Sequence, residues 1–297
     1  MSFLISGCIR QDPGEAELRA AVEASLPSIE SLEQRGQLEL ASRRPVQALE
    51  TYAAILERDP EHIAARLGVA EAQLMLGNAE RARAGFVAVE AWPGLNSADR
   101  ALARQGIGLC DIALGDLGNA KKRLDAALAG NPSLWRSWVG IGRIHDRDRA
   151  WVEAEAAYNK AERIAPQEAS IYNNHGLSRL GARDFDGAIR MFDAALDLDP
   201  ALTIADRNRR IALAFQGRYE TAVAGTEPSE LAEVLNNVGY AAIVRQDYVA
   251  ARAHLVRAIE ISPSYFEPAW ANLRYLDALQ RRGGVVVPSA GGVPGSS

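Results

Sequence analysis

The residue types that most often perform chemistry are sparse in this 297-residue chain. The two cysteines and four histidines lie far apart, and none belongs to an HExxH or CxxC pattern. A structural zinc site needs about four such ligands at short, regular spacings. The two cysteines are Cys8 and Cys110, and the four histidines are His62, His145, His175 and His254. We therefore expect no metal and no cofactor, and each histidine is interpreted as a packing or surface residue.

Gly140 and Gly142 flank Ile141 in a pattern that begins like a dinucleotide-binding loop. Such a loop follows a strand and has a third glycine three residues after the second. His145 stands at that position, so the two glycines are interpreted as packing residues inside a helix. The sequence therefore predicts that the protein is not an enzyme. Cys110 is interpreted as a small buried apolar residue.

Cys8 differs from Cys110 and the histidines because the four residues before it match part of a known motif. The segment Leu-Ile-Ser-Gly-Cys at 4–8 resembles a bacterial lipobox, whose cysteine thiol receives a lipid and becomes the new N-terminus. The resemblance implies lipidation of Cys8, and Ile9 in place of an aspartate implies the outer membrane. However, none of the residues before Cys8 is Lys or Arg, whereas a secretory signal has a basic start and about 7–15 apolar residues. The alternative is a chance cysteine.

The composition excludes several other classes of protein. Hydrophobic residues make up 48% of the chain and charged residues 24%, as in ordinary globular proteins. The net charge of −5 provides no basic footprint for nucleic acid. No apolar run reaches the roughly 18 residues of a membrane span. The 53 alanines favour helices over strands, and so predict an all-α fold.

Small residues recur at a nearly constant interval. Alanines that stand four residues before a bulky residue are Ala48, Ala82, Ala120, Ala154, Ala188 and Ala251, with Ala222 as a weaker member. In chain order the seven positions are separated by 34, 38, 34, 34, 34 and 29 residues. An interval of this length indicates a stack of helical repeats.

The repeats resemble the tetratricopeptide repeat, a helix-turn-helix unit. Residues 135–168 and 169–202 carry the resemblance best. In the first of these, Gly142 and Ala154 let two helices approach closely, and Tyr158 fills the space between helices. The resemblance implies an all-α, right-handed superhelical solenoid of about seven tetratricopeptide repeats with a C-terminal capping helix. We place the units at 29–62, 63–96, 101–134, 135–168, 169–202, 203–231 and 232–265, and the closing helix at 266–282.

The repeats divide the chain into three parts. Residues 1–28 contain the lipobox-like start, a tether and a short helix at about 15–25, and residues 29–282 form the array. Residues 283–297 carry no charge and are rich in glycine, proline and serine, which predicts a disordered tail.

The sixth unit departs from the repeat pattern. Arg210 stands where the family usually has a small residue. Gly225 and Pro228 limit the second helix of this unit to about two turns. The departure is interpreted either as a tolerated deletion or as a kink or local binding feature.

In arrays of this family the first helix of each unit lines a groove. The residues at the groove-facing positions of the fourth to seventh units are Arg136, Arg143, Asn173, Asn174, Arg207, Asn208, Asn236, Asn237 and Tyr240. Asparagine is a poor helix former, so the pairs in mid-helix need another reason. An amide both donates and accepts, so it can hold an extended peptide without reading its sequence. The arginines can pair with a carboxylate. The alternative is a solvated groove without a ligand.

The lipobox-like start, the array and the Asn-Asn-x-Gly helices together resemble the TadD-type lipoproteins of Flp (tight adherence) pilus systems. This resemblance implies a scaffold anchored by lipid on the periplasmic face of the outer membrane, with a protein partner such as the pilus secretin and no nucleic acid. A soluble cytoplasmic adaptor or co-chaperone with the same groove is the alternative. A regulatory array severed from a larger enzyme is a third hypothesis.

Overall fold

The structure, a computed structural model, describes residues 27–262 and 264–283. In these ranges every regular element is a helix, and there are fifteen helices. In chain order α1–α15 span Ile29–Ala41, Pro45–Arg58, Ile63–Met75, Ala79–Glu90, Ser97–Leu114, Leu117–Gly130, Trp135–Arg147, Trp151–Ile164, Ala169–Gly181, Phe185–Leu198, Thr203–Gln216, Tyr219–Val223, Leu231–Val244, Tyr248–Ile261 and Glu267–Gly283. Cys8, the predicted helix at 15–25 and the predicted tail from residue 284 onward lie outside the described residues.

Contacts between helices divide the chain into two compact units with the boundary between Asn131 and Pro132. The first unit contains three helix pairs, α1–α2, α3–α4 and α5–α6. The second contains four pairs, α7–α8, α9–α10, α11–α12 and α13–α14, and the closing helix α15, which packs on α13 and α14. The predicted all-α architecture of seven helical repeats and a C-terminal capping helix is confirmed.

The turn within each helix pair contains a residue in the left-handed backbone region. In the first unit Gly77 and Gly115 take this conformation, with φ of 80° and 84°. In the second unit the non-glycine residues Arg149 and Arg183 do so, with φ of 57° and 64°. After Arg183 the carboxylate of Asp184 accepts a hydrogen bond from the Gly187 main-chain N–H and caps α10.

Glycines on the first helices lie directly beneath aromatic rings of the second helices. A Cβ atom on Gly142 would lie 2.7 Å from Cζ of Tyr158, and one on Gly176 would lie 2.5 Å from Cε1 of Phe192. Ala154 is fully buried in the same cluster as Tyr158. The predicted close approach of the two helices at Gly142 and Ala154 is therefore confirmed.

The third repeat begins earlier than the sequence predicted. Helix α5 starts at Ser97 instead of near residue 101 and is 18 residues long. The reason is a local cap, because Oδ1 of Asn96 accepts a hydrogen bond from the Asp99 main-chain N–H at 2.9 Å.

The second helix of the sixth repeat is shorter than the two turns that the sequence predicted. Helix α12 contains five residues, little more than one turn. The chain leaves the helix at Ala224, whose ψ is 138°, and Gly225 follows with a φ of 65°. Gly225 therefore lies where the chain changes direction, which is the kind of position that glycine tolerates best.

Candidate functional site

The candidate site lies on the first helices of the second unit, where side-chain amides join neighbouring repeats. Nδ2 of Asn208 on α11 donates a hydrogen bond to Oδ1 of Asn173 on α9 at 3.0 Å. Asn208 is only 7% exposed and Asn173 only 8% exposed. These predicted groove residues therefore form a bridge between the fifth and sixth repeats.

A second amide bridge joins the seventh repeat to the closing helix. Nδ2 of Asn272 on α15 donates to Oδ1 of Asn236 on α13 at 2.9 Å. Nδ2 of Asn236 lies 3.4 Å from Oδ1 of Asn237. Asn272 was not predicted from the sequence, although its position 36 residues after Asn236 is close to the repeat interval.

The amides retain hydrogen-bonding capacity beyond these bridges. A primary amide has two N–H groups and an oxygen with two lone pairs. The bridge from Asn208 to Asn173 uses one N–H and one lone pair, so both N–H groups of Asn173 and the oxygen of Asn208 lie outside it. Asn174 is partly buried and gives one N–H to the main-chain oxygen of Ser170 at 2.7 Å.

The tyrosine and two of the three arginines predicted for the groove are more accessible than the asparagines. Arg143 is exposed, Arg136 is partly buried and Tyr240 is 45% exposed. The side chain of Arg207 is 47% exposed, and its Nε lies 3.8 Å from Oε1 of Glu233. That distance allows an ion pair but exceeds a hydrogen bond.

The structure brings Arg207 and Asn237 together at one cavity of about 200 Å³ between α11 and α13. Its other charged lining residues are Asp206, Arg210, Glu230 and Glu233. Arg136 and Arg143 lie on α7 and do not line this cavity. The predicted set is therefore spread along the first helices and is not gathered into one pocket.

Arg210 forms hydrogen bonds with the irregular segment at the end of the sixth repeat. Its Nη1 donates to the main-chain oxygens of Ala222 and Ala224 at 2.9 and 2.8 Å, and to Oγ1 of Thr226 at 2.9 Å. Its Nε donates to Oδ2 of Asp206 at 2.6 Å. The side chain is 16% exposed. Arg210 therefore supplies hydrogen bonds to the carbonyl groups that a longer helix would have satisfied.

A buried polar network connects the fourth and fifth repeats. His175 is 2% exposed, stacks on Tyr158 with ring centroids 5.3 Å apart, and lies 2.5 Å from Glu162 through Nδ1. Nε of Arg179 donates to Nε2 of His175 at 3.2 Å. Because Arg179 can only donate, the hydrogen of the neutral imidazole lies on Nδ1 and is donated to Glu162. The packing role predicted for His175 is confirmed.

Tyr158 is held in the same network. Its hydroxyl donates to Oδ2 of Asp146 at 2.7 Å. Burial raises the pKa of the Tyr158 phenol far above its usual value, and the charge and hydrogen bond of Asp146 act in the same direction. The arrangement keeps the phenol protonated as a donor, which is a structural role.

Two other kinds of site are absent from the described residues. Across residues 27–262 and 264–283, no helix combines the length and apolar character needed to cross a membrane. In the same ranges no three His, Cys, Asp or Glu residues are grouped as metal ligands. Cys110 is fully buried, as the sequence predicted.

Comparison with protein families assigns the chain to a class. Two sequence profiles described as tetratricopeptide repeat match it, one over residues 39–98 and the other over residues 108–169 and 173–227. Together these ranges span more than half of the chain. The protein therefore belongs to the tetratricopeptide-repeat family, whose fold is typically a non-catalytic scaffold for protein interactions.

A curated relative is the lipoprotein NlpI homolog of Haemophilus influenzae. It is 32% identical over 81 residues, which cover 27% of this chain and 26% of the relative. The match thus spans about a quarter of the relative's length. The two proteins are similar over little more than two repeats.

Solved structures share the fold at low sequence identity. The human IFIT1 dimer with m7Gppp-AAAA is 16% identical, with 91% of this chain and 71% of that chain covered, at a TM-score of 0.65. The thermophilic protein TTC0263 of Thermus thermophilus is 19% identical, with 66% and 98% covered, at a TM-score of 0.53. Identities this low show a common fold and nothing more.

Proposed function

We propose that this protein is a non-catalytic scaffold that binds an extended segment of a partner protein along the first helices α9, α11 and α13. The observation that carries the proposal is the pair of amide bridges, from Asn208 to Asn173 and from Asn272 to Asn236. The bridges fix amide groups of neighbouring repeats in a row, with further donors and acceptors beside them. We call these four residues the asparagine row.

The chemistry of the asparagine row suits a peptide main chain. Each peptide unit offers one N–H and one C=O, and a primary amide can pair with both. Asn174 and Asn237, both partly buried, add amides beside the row. Recognition of this kind depends on the main chain and tolerates varied side chains.

A library of random 12-residue peptides displayed on phage provides the test. Selected peptides are titrated calorimetrically against the wild type and against Asn173→Ala combined with Asn236→Ala. Loss of two hydrogen bonds of about 1 kcal/mol each corresponds to an affinity at least about tenfold weaker. Asn159→Ala is the matched control, because Asn159 lies on α8, the second helix of the fourth repeat, and is not part of the asparagine row. Equal affinity of the double variant and the wild type would contradict the proposal.

We further propose that the protein is a lipoprotein of the outer membrane, anchored through Cys8. The support is the lipobox-like segment at 4–8 and the partial similarity to the lipoprotein NlpI homolog. The test is labelling with radioactive palmitate in the native host, with membrane fractionation. Cys8→Ser is expected to abolish the label, whereas Cys110→Ser, which alters a buried thiol, is expected to retain it. An unlabelled, soluble wild type would instead favour a cytoplasmic adaptor.

The most specific part of the proposal is a role in pilus assembly. Its support is the resemblance of the array and its Asn-Asn-x-Gly helices to TadD-type lipoproteins. It predicts that the protein assists assembly of a pilus secretin in the outer membrane. Deleting the gene should reduce the amount of assembled secretin, and the Cys8→Ser variant should fail to restore it. Normal secretin assembly in the deletion strain would exclude this role.

A further inference from the structure

An apolar pocket lies at the C-terminal ends of α9, α11 and α13, which are the first helices of the fifth, sixth and seventh repeats. It has a volume of about 230 Å³ and is lined by Leu180, Arg183, Phe185, Phe215 and Val244. Phe185 and Phe215 form one wall, with their rings stacked 5.8 Å apart and inclined by only 9°. We call this cavity the phenylalanine pocket.

The phenylalanine pocket is open to solvent, and two of the helices that form it carry further exposed apolar side chains. Val244 is 42% exposed. Leu177 on α9 and Tyr240 on α13 are 41% and 45% exposed, and each lies three or four residues before the helix end that forms the pocket. Exposed apolar side chains near an open apolar pocket are typical of an interaction site.

On two of the three helices a pocket residue follows an asparagine of the row by the same interval. Leu180 follows Asn173 by seven residues and Phe215 follows Asn208 by seven, whereas Val244 follows Asn236 by eight. Seven residues are almost two complete turns, so each of the first two pairs lies on one side of its helix about 10 Å apart. An extended chain covers this distance in about three residues.

We propose that the phenylalanine pocket receives one large apolar side chain, leucine or an aromatic residue, of the segment whose main chain lies on the asparagine row. This rests on the proposed peptide-binding function and adds a side-chain specificity to it. A cavity of about 150 Å³ already accommodates benzene, so the volume here suits one such side chain. The positive charge of Arg183, which lines the pocket, disfavours the binding of a basic side chain.

A peptide segment explains the pocket better than a second copy of the chain does. A stable interface between two proteins buries at least about 1,200 Å², whereas the pocket accommodates a single side chain. The neighbouring amides are suited to a main chain that continues on both sides of that side chain. Binding through main-chain hydrogen bonds with specificity from a side-chain pocket is an established mode of peptide recognition.

The experiment uses the full chain and the phage-displayed library of random 12-residue peptides. Selected peptides are expected to share one large apolar position. Replacing that residue by alanine should weaken binding to the wild type about tenfold or more, because the buried apolar area is lost. In a Val244→Asp variant the same peptide change should have little further effect, since the pocket is already impaired. Val249→Asp on α14 is the control, because Val249 is exposed but does not line the pocket.

The outcomes distinguish the pocket from the proposed function as a whole. Peptides that lose affinity in Asn173→Ala with Asn236→Ala, but share no apolar position and bind Val244→Asp normally, overturn the pocket and leave the peptide-binding function intact. Peptides insensitive to both sets of variants, or a library without any binding sequence, overturn both. A wild-type dimer that becomes monomeric in Val244→Asp, measured by sedimentation, shows an interface between copies and also overturns the pocket proposal.

Discussion

The guanidinium of Arg210 donates a hydrogen bond to the main-chain oxygen of Ala222, 2.9 Å away. Both residues lie in the sixth repeat, whose second helix is only five residues long. In the preceding repeat the equivalent position is Gly176, and the ring of Phe192 fills the space above it. Position 226 of the sixth repeat, which corresponds to Phe192, is threonine. Arg210 therefore contacts the residue that replaces the aromatic ring and also satisfies two carbonyl groups.

The Arg210 contacts predict a large loss of stability when the guanidinium is removed. Arg210→Met keeps an unbranched stem but leaves the oxygens of Ala222 and Ala224 without this donor. We expect the free energy of unfolding in urea to fall by about 2–4 kcal/mol. Arg207→Met, on the half-exposed arginine of the same helix, should change it by less than about 1 kcal/mol. Equal stabilities of the two variants would contradict this assignment.

Gly142→Ala is predicted to destabilise the protein although alanine is the better helix former. The new Cβ would lie 2.7 Å from Cζ of Tyr158, so the buried ring must move. We expect a loss of about 1–3 kcal/mol in thermal unfolding. Gly118→Ala is the control, because nothing lies within 4 Å of its Cβ position, and it should gain up to about 1 kcal/mol. A gain at both positions would show that the ring relocates freely.

Glu39 is predicted to contribute stability that is lost in acid. The side chain is buried beside Thr51, whose hydroxyl donates to it at 2.7 Å, and Nε of Arg35 donates at 2.8 Å. Burial raises the pKa of Glu39, but these hydrogen bonds and the charges of Arg35 and Arg44 outweigh burial and leave the pKa below its usual value. The carboxylate therefore stabilises the fold above its unfolded pKa of about 4.3, and the contribution disappears as the pH falls through the folded pKa.

Comparison of Glu39→Gln with the wild type checks this pH dependence. The difference in free energy of unfolding should be greatest at neutral pH and should shrink below about pH 4. Glu57→Gln, on an exposed residue of α2, serves as the control for a simple loss of charge. A difference that stays constant between pH 7 and pH 3 would rule out the proposed contribution.

The amide bridge between Asn236 and Asn272 predicts energetic coupling between α13 and the closing helix. A double-mutant cycle of Asn236→Ala and Asn272→Ala should give an interaction energy of about 0.5–1.5 kcal/mol in unfolding. The cycle of Asn272→Ala with Asn159→Ala is the control, since Asn159 lies on α8, away from the bridge. Additive effects in the first cycle would mean that the bridge does not couple the helices.

The fold could be predicted from the sequence, because repeat spacing depends on local packing. Small residues at intervals near 34 residues mark where two helices must approach, and alanine content favours helices throughout. Each repeat contacts mainly its neighbours, so a local pattern is sufficient to define the architecture. The resemblance to the tetratricopeptide repeat then placed Asn173, Asn208 and Asn236 at groove-facing positions of the first helices.

The contacts that those residues make could not be predicted from the sequence, because they depend on how the helices pack. A sequence pattern gives the face of a helix but not the depth of a side chain, so the burial of Asn173 and its hydrogen bond from Asn208 could not be predicted. Asn272 escaped notice because it lies on the closing helix, outside the repeats. The role of Arg210 depends on where α12 ends, which is set by hydrogen bonds between residues 12–16 positions apart. Contacts between elements, and not periodicity, define these features, because they depend on how the helices pack in three dimensions.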